Sequence, residues 1–134
     1  MKNKLPAIVE SHVDQRFYSR LPTGWFMLVE DMHNELAIID SEYKMSQLKE
    51  KFASLSIYFE DSANRDLLYR VSEKYIERST HTCMDCGSID GEWGCENGNN
   101  WIVVKCLDCQ SQQFSNMEGS ELYKILHPFQ FNGK

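Results

Sequence analysis

Cys83-Met84-Asp85-Cys86-Gly87 and Cys106-Leu107-Asp108-Cys109-Gln110 are the stretches whose reading decides the fold. Each is a C-x-x-C pair, and nineteen residues, 87–105, lie between them. That spacing is the arithmetic of a four-thiolate zinc site. Two thiolates three residues apart reach one ion when the chain between them turns tightly. Gly87 supplies freedom for φ > 0 just after the first pair. Two such turns bring four sulfurs to about 2.3 Å from the ion. The expectation is that Cys83, Cys86, Cys106 and Cys109 hold one structural Zn2+. Four protein ligands leave no open position for substrate, which points away from catalysis. Disulfides belong with a secretion signal, and Met1-Lys2-Asn3-Lys4-Leu5-Pro6 has no apolar stretch of that kind. A redox C-x-x-C opens a helix after a strand, a context that neither pair has. Four reduced thiols without a metal are the remaining alternative.

Between the pairs, Gly91-Glu92-Trp93-Gly94-Cys95-Glu96-Asn97-Gly98-Asn99-Asn100 reads as a loop, with Cys95 a loop thiol rather than a ligand. His81, two residues before Cys83, reads as a surface or neighbouring residue rather than a substitute ligand. Trp93 and Trp101 flank this loop. Either both cover the cysteine turns, or they are exposed anchors for a partner, a role in which Trp is over-represented. Trp101-Ile102-Val103-Val104-Lys105 is β-branched and leads into the second pair, and Gln112-Gln113-Phe114 can return as another strand. Strand, knuckle and strand make a zinc ribbon. A treble clef, with a helix starting at the second pair, is the second choice. A short helix over Glu121–Leu126, ended by Pro128, closes the chain.

Upstream, residues 1–80 read as a helix/hairpin body and residues 81–134 as the zinc module packed on it. Leu5, Ile8, Val9, Val13 and Phe17 recur at helical spacing, which predicts a helix near 6–18 opened by Pro6. Thr23 is placed to cap a second helix that ends near Ile39-Asp40, with Trp25, Leu28, Val29, Met32 and Leu36 as its apolar stripe. His33 is a polar position on that helix. Leu55, Ile57 and Phe59 alternate with Ser56 and Tyr58, a strand signal. Residues 43–51 fit a pairing strand, turning around Phe52-Ala53-Ser54, and also a helix; the hairpin is preferred. A third helix runs from about Ser62 to Arg78, with Leu67, Leu68, Val71, Tyr75 and Ile76 inward. The fold class is thus α+β, a small helix/β-hairpin body with a C-terminal zinc ribbon.

Composition narrows the function. The 134 residues carry 14 Lys/Arg against 20 Asp/Glu, a net charge of −6. Non-specific nucleic-acid binding depends on Lys/Arg neutralising phosphates, and residues 81–134 hold only three against seven acids. Arg65, Arg70, Lys74 and Arg78 could form a basic face, but Asp66, Glu73 and Glu77 interrupt it. No apolar run approaches a membrane span. Phosphate-loop, dinucleotide, nucleophile-elbow and H-E-x-x-H motifs are missing from the sequence.

Gly24-Trp25, Lys49-Glu50-Lys51-Phe52, Ile57-Tyr58-Phe59 and Cys83-Met84-Asp85-Cys86-Gly87 together resemble a family of small uncharacterised proteins from phages, prophages and bacteria. The likeness covers residues 24–86, about half of the chain. Family members usually carry Gly-Gly after the Phe, where this chain has Ala53-Ser54. The resemblance implies a phage or mobile-element origin and supplies no activity. The resulting expectation is a non-enzymatic, zinc-stabilised protein-binding module of the cytoplasm that binds, and by analogy inhibits, a host protein. The alternative is a nucleic-acid-binding or transcription-associated zinc-ribbon factor.

Overall fold

The computed structural model describes residues 11–96 and 101–126. It is an α+β fold with two small antiparallel sheets. In chain order the body comprises α1 (Gln15–Tyr18), a 3-10 turn (Thr23–Trp25), α2 (Phe26–Ile39), β1 (Met45–Lys51), β2 (Ser54–Phe59) and α3 (Arg65–Ser79). Beyond it lie β3 (Glu92–Cys95), β4 (Ile102–Lys105), β5 (Ser115–Asn116) and α4 (Glu121–Leu126).

The expected helix over 6–18 is not continuous. Its residues 6–10 lie outside the described ones, as does Pro128, and residues 11–13 form a turn and a bend. Asp14 is extended, and its carboxylate accepts the Arg16 amide at 2.8 Å. A side chain that competes for backbone N–H groups starts a helix rather than continuing one, so among the described residues of this stretch the helix is Gln15–Tyr18. Thr23 is likewise not the expected cap. It sits inside the 3-10 turn, whose N-cap is Pro22, and the helix that follows has Trp25 at its N-cap, neither with a side-chain cap bond; Gly24 N donates to Met84 O instead. The apolar stripe of α2 is as expected: Trp25, Leu28, Val29, Met32 and Leu36 are buried.

Within residues 43–51, Met45–Lys51 form the hairpin strand, with Lys51 opposite Ser54 and a two-residue turn at Phe52-Ala53. Both turn residues have positive φ, 53° and 63°. Paired positive φ values define the primed hairpin turn that matches strand twist and normally selects Asn-Gly or Gly-Gly. The outer edge of β2 is closed by the helix beside it. Leu55 N donates to Ser79 Oγ at 2.9 Å, and Phe59 N donates to Tyr69 Oη at 3.0 Å.

α3 starts at Arg65 rather than Ser62, because the Ser62 carbonyl and hydroxyl accept the Arg65 and Asn64 amides and form a turn there. Its buried stripe is Leu68, Ser72, Tyr75 and Ser79. Leu67 is off that stripe and 47% exposed, a correction to its expected inward place, while Val71 and Ile76 are half-buried. Asp31–Arg78 and Glu35–Lys74 ion pairs at 3.0 and 2.7 Å link α2 to α3. Tyr75 also donates to Glu35.

The second sheet has the order β4-β3-β5, all antiparallel. β3 occupies sequence expected to be loop, so Cys95 is a strand residue. The returning strand is Ser115–Asn116 and not Gln112–Phe114. Ser111 accepts the Phe114 and Gln113 amides, and this turn delays the strand. No helix begins at the second cysteine pair: residues 107–109 form a turn and α4 starts only at Glu121, so the treble-clef alternative does not hold.

Candidate metal centre

Two knuckles at one end of the second sheet carry the four cysteines. In the first, Cys83 O accepts Gly87 N at 3.0 Å, and Cys83 N donates to Ser88 O at 2.8 Å. Gly87 has φ +84°, the left-handed conformation that glycine adopts without steric cost. The turn is pinned from both sides. Met84 N donates to Val104 O of β4, and Met84 O accepts Gly24 N, both at 2.9 Å. Just before it, Thr82 O accepts Trp25 Nε1 at 2.9 Å. Gly24 is required here by contact: a Cβ on it would lie 2.1 Å from Cys83 O.

The second knuckle is built differently. Cys106 O accepts both Cys109 N and Gln110 N at 3.0 Å. Gln110, where a ribbon often has Gly, uses its side chain as a brace. Its Nε2 donates to Glu92 Oε1 at 2.9 Å and to Lys105 O at 3.1 Å. Ser111 N donates to Glu96 Oε2. The turn's own tip is open, with Leu107 75% exposed.

Together the knuckles place the sulfurs of Cys83, Cys86, Cys106 and Cys109 within 4.8 Å of one another, a group that could hold a metal ion. A tetrahedral ion with sulfurs at about 2.3 Å sets neighbouring sulfurs about 3.8 Å apart. Cys86 Sγ and Cys106 Sγ are 3.6 Å apart. The donor set also fits. Burial pushes the Cys83 thiol up, but the amides of Cys106, Cys86 and Asp85 outweigh it and bring the group to about 7. The neighbouring Cys106 and Cys83 sulfurs push Cys109 up. For Cys86 the Ser88 amide pulls down, yet Cys106, burial and Cys83 carry the group above its ordinary value. Four sulfurs this close resist ionising together, and a cation between them removes that repulsion.

Other residues singled out from sequence fall elsewhere. His81 is outside the cluster, although its carbonyl accepts Gly91 N. Cys95 is outside it too, and its thiol contacts Met117 Sδ at 3.3 Å. Trp93 is fully buried, packed edge-on against Tyr123 and donating from Nε1 to Phe52 O at 3.3 Å. It is therefore core, not an exposed anchor; its strand places it opposite Val104, facing inward. Trp101 is 68% exposed. His33 lies on α2 as expected but is fully buried, with Nδ1 2.8 Å from Tyr43 Oη and its ring beside His12. Gly24, Lys105 and Gln110 support the centre. Gly24 and Gln110 entered the sequence reading only within Gly24-Trp25 and Cys106–Gln110, without a supporting role, and no hydrophobic period or motif marks Lys105.

The fold and site define an α+β protein with a four-cysteine metal-binding cluster. No family model, curated protein or solved structure matches the chain. Among the described residues no helix is long and apolar enough to cross a membrane.

Proposed function

We propose that the cluster holds one structural zinc ion and that the chain is a non-enzymatic module acting by binding another protein. The observation that carries this is the closed set of four sulfurs, with Cys83 and Cys106 buried, Cys109 half-buried and Cys86 exposed. Thiolate donors in a tetrahedral set select zinc over hard cations, and a fully protein-ligated ion has structural use. Trp101 and Leu107 are large, apolar and exposed on the metal module, and Trp is the residue type enriched at binding hot spots. The likeness of residues 24–86 to small phage and bacterial proteins extends the reading to a phage or mobile-element protein directed at a host protein.

The nucleic-acid alternative has less support. Of the four cations on α3, Arg65 pairs with Asp61, Lys74 with Glu35 and Arg78 with Asp31. Cations already neutralised within the fold release few counterions from a phosphate backbone.

Two measurements test the reading. Metal analysis of the purified chain should return one zinc per molecule. Affinity capture from a bacterial lysate, with and without nuclease, should then retain a stoichiometric protein that nuclease does not remove and that Trp101→Ala releases. Capture of nuclease-sensitive complexes alone would put the nucleic-acid function in its place. Metal-dependent turnover of any substrate would overturn the non-enzymatic assignment.

A further inference from the structure

Each cysteine pair carries an aspartate between its cysteines, Asp85 and Asp108. Four thiolates around a divalent ion leave the centre doubly negative, and carboxylates beside it add repulsion. Lys105 is the single Lys or Arg from residue 81 to residue 123. It ends β4, immediately before Cys106, and its side chain is 15% exposed. Its Nζ lies 2.6 Å from Asp85 Oδ2, inside the first cysteine pair, and 3.7 Å from Glu96 Oε1 at the end of β3. Asp108, by contrast, is exposed and makes no ion pair among the described residues. The two knuckles therefore share one cation, and it bridges them.

We propose that Lys105 is a positioning residue of the metal centre. From the strand that leads into the second pair it reaches Asp85 in the first pair, holds the two pairs in register, and places a positive charge beside the carboxylate that lies between two of the ligands. Its charge offsets the negative tetrathiolate, and its two carboxylate contacts keep it from swinging into solvent. Mutating partners that orient and polarise the ligands of a metal typically costs about 10–100-fold in metal affinity.

The proposal rests on the metal reading above, and the test separates the two. The full chain is titrated with zinc against a chromophoric chelator, and with cobalt to read the sulfur-to-metal charge-transfer band. Lys105→Met is expected to weaken zinc about tenfold, and Lys105→Arg to stay within about twofold of the parent. The cobalt band should move to lower energy in Lys105→Met, because a thiolate without a neighbouring cation gives up electron density more easily. A residue that only stiffened the fold would leave that band in place. Unchanged affinity and band in Lys105→Met would overturn the proposal, as would Lys105→Arg behaving like Lys105→Met. If Lys105→Met does not fold with saturating zinc, Lys105→Gln, which keeps a hydrogen-bond donor, takes its place. Failure of both to fold overturns the proposal by showing a purely structural role. Absence of stoichiometric zinc or cobalt binding by the parent chain is a different result: it removes the metal reading itself, and this inference with it.

Discussion

The first knuckle, Cys83–Gly87, leans on the body, whereas among the described residues the second, Cys106–Gln110, bonds only within its own module. The local pattern is the same, Cys-x-Asp-Cys. Around the first pair, Gly24 and Trp25 bond to Met84 and Thr82, and Cys83 is fully buried. Around the second, the contacts are side chains of the sheet it belongs to, chiefly Gln110 on Glu92. One motif thus rests on a hydrophobic core formed by remote sequence, while the other relies on local polar bracing. The difference teaches that ligand spacing specifies which residues meet, but not what keeps them there.

Metal removal is the largest lever on this contrast. Structural zinc sites in small modules bind with an apparent free energy of about 10–16 kcal/mol, comparable to a whole domain's stability of about 5–15 kcal/mol. Chelation at neutral pH is expected to lower the thermal midpoint sharply. Hydrogen exchange should show the amides of Cys109 and Gln110 losing protection before those of Met84 and Gly87. Equal loss at both knuckles would break the comparison. Cys83→Ser should reproduce the effect of chelation, while Cys95→Ser, at a strand thiol outside the cluster, should change stability by less than about 1 kcal/mol.

Gly24→Ala attacks the first knuckle alone. Its Cβ meets backbone at Cys83 and Met84, which cannot rotate away. A loss of about 3 kcal/mol in chemical denaturation is expected, the upper range of overpacking. The mirror experiment is Gln110→Ala. It removes two hydrogen bonds from the second knuckle and should cost about 1–2 kcal/mol, with the first knuckle's amide protection unchanged. Phe52→Asn sits in the body's hairpin, away from both. Asn tolerates positive φ and favours the primed turn, so a gain of about 1 kcal/mol is expected in the denaturation midpoint. A loss there would show that the Phe52 ring contributes more by packing than its backbone costs.

The last handle is pH. Burial, then His12, lowers the titration of His33 below its ordinary 6.5. The unfolded chain therefore binds a proton first, and stability present above about pH 6.5 declines as pH falls toward the folded value. Denaturation at pH 7.5 and 5.5, in zinc-loaded and chelated samples, separates this body term from the metal. Only the part common to both samples belongs to His33.

Much of this was legible in the chain. Cysteine spacing located the cluster, because metal geometry demands it. The alternation of Leu55, Ile57 and Phe59 located a strand, and the period of Trp25 to Leu36 a buried helix face. The short β3 was not legible: Glu92-Trp93-Gly94-Cys95 has a composition that reads as loop, and it becomes a strand by pairing with β4 and β5 on either side. Gly24 was visible as part of Gly-Trp, but its reason, a carbonyl of Cys83 that leaves no room for a Cβ, lies about sixty positions away in the sequence. Asp14 and Ser62 moved helix starts, since a carboxylate or hydroxyl can capture an amide where apolar periodicity alone continues the helix. Trp93 carried two readings that only burial could separate.

The hydroxyls of Ser79 and Tyr69 on the edge of β2 have a consequence for self-association. An open strand edge is a template for pairing with another chain. Here two amides that would recruit such a strand are already satisfied by α3, without a further strand being present. The helix therefore works as a permanent cover, and the sheet stays two-stranded on that side. Partial unfolding that lifts α3 would uncover a ready margin for domain swapping or fibril growth, so colloidal behaviour of the protein is tied to the seating of that one helix.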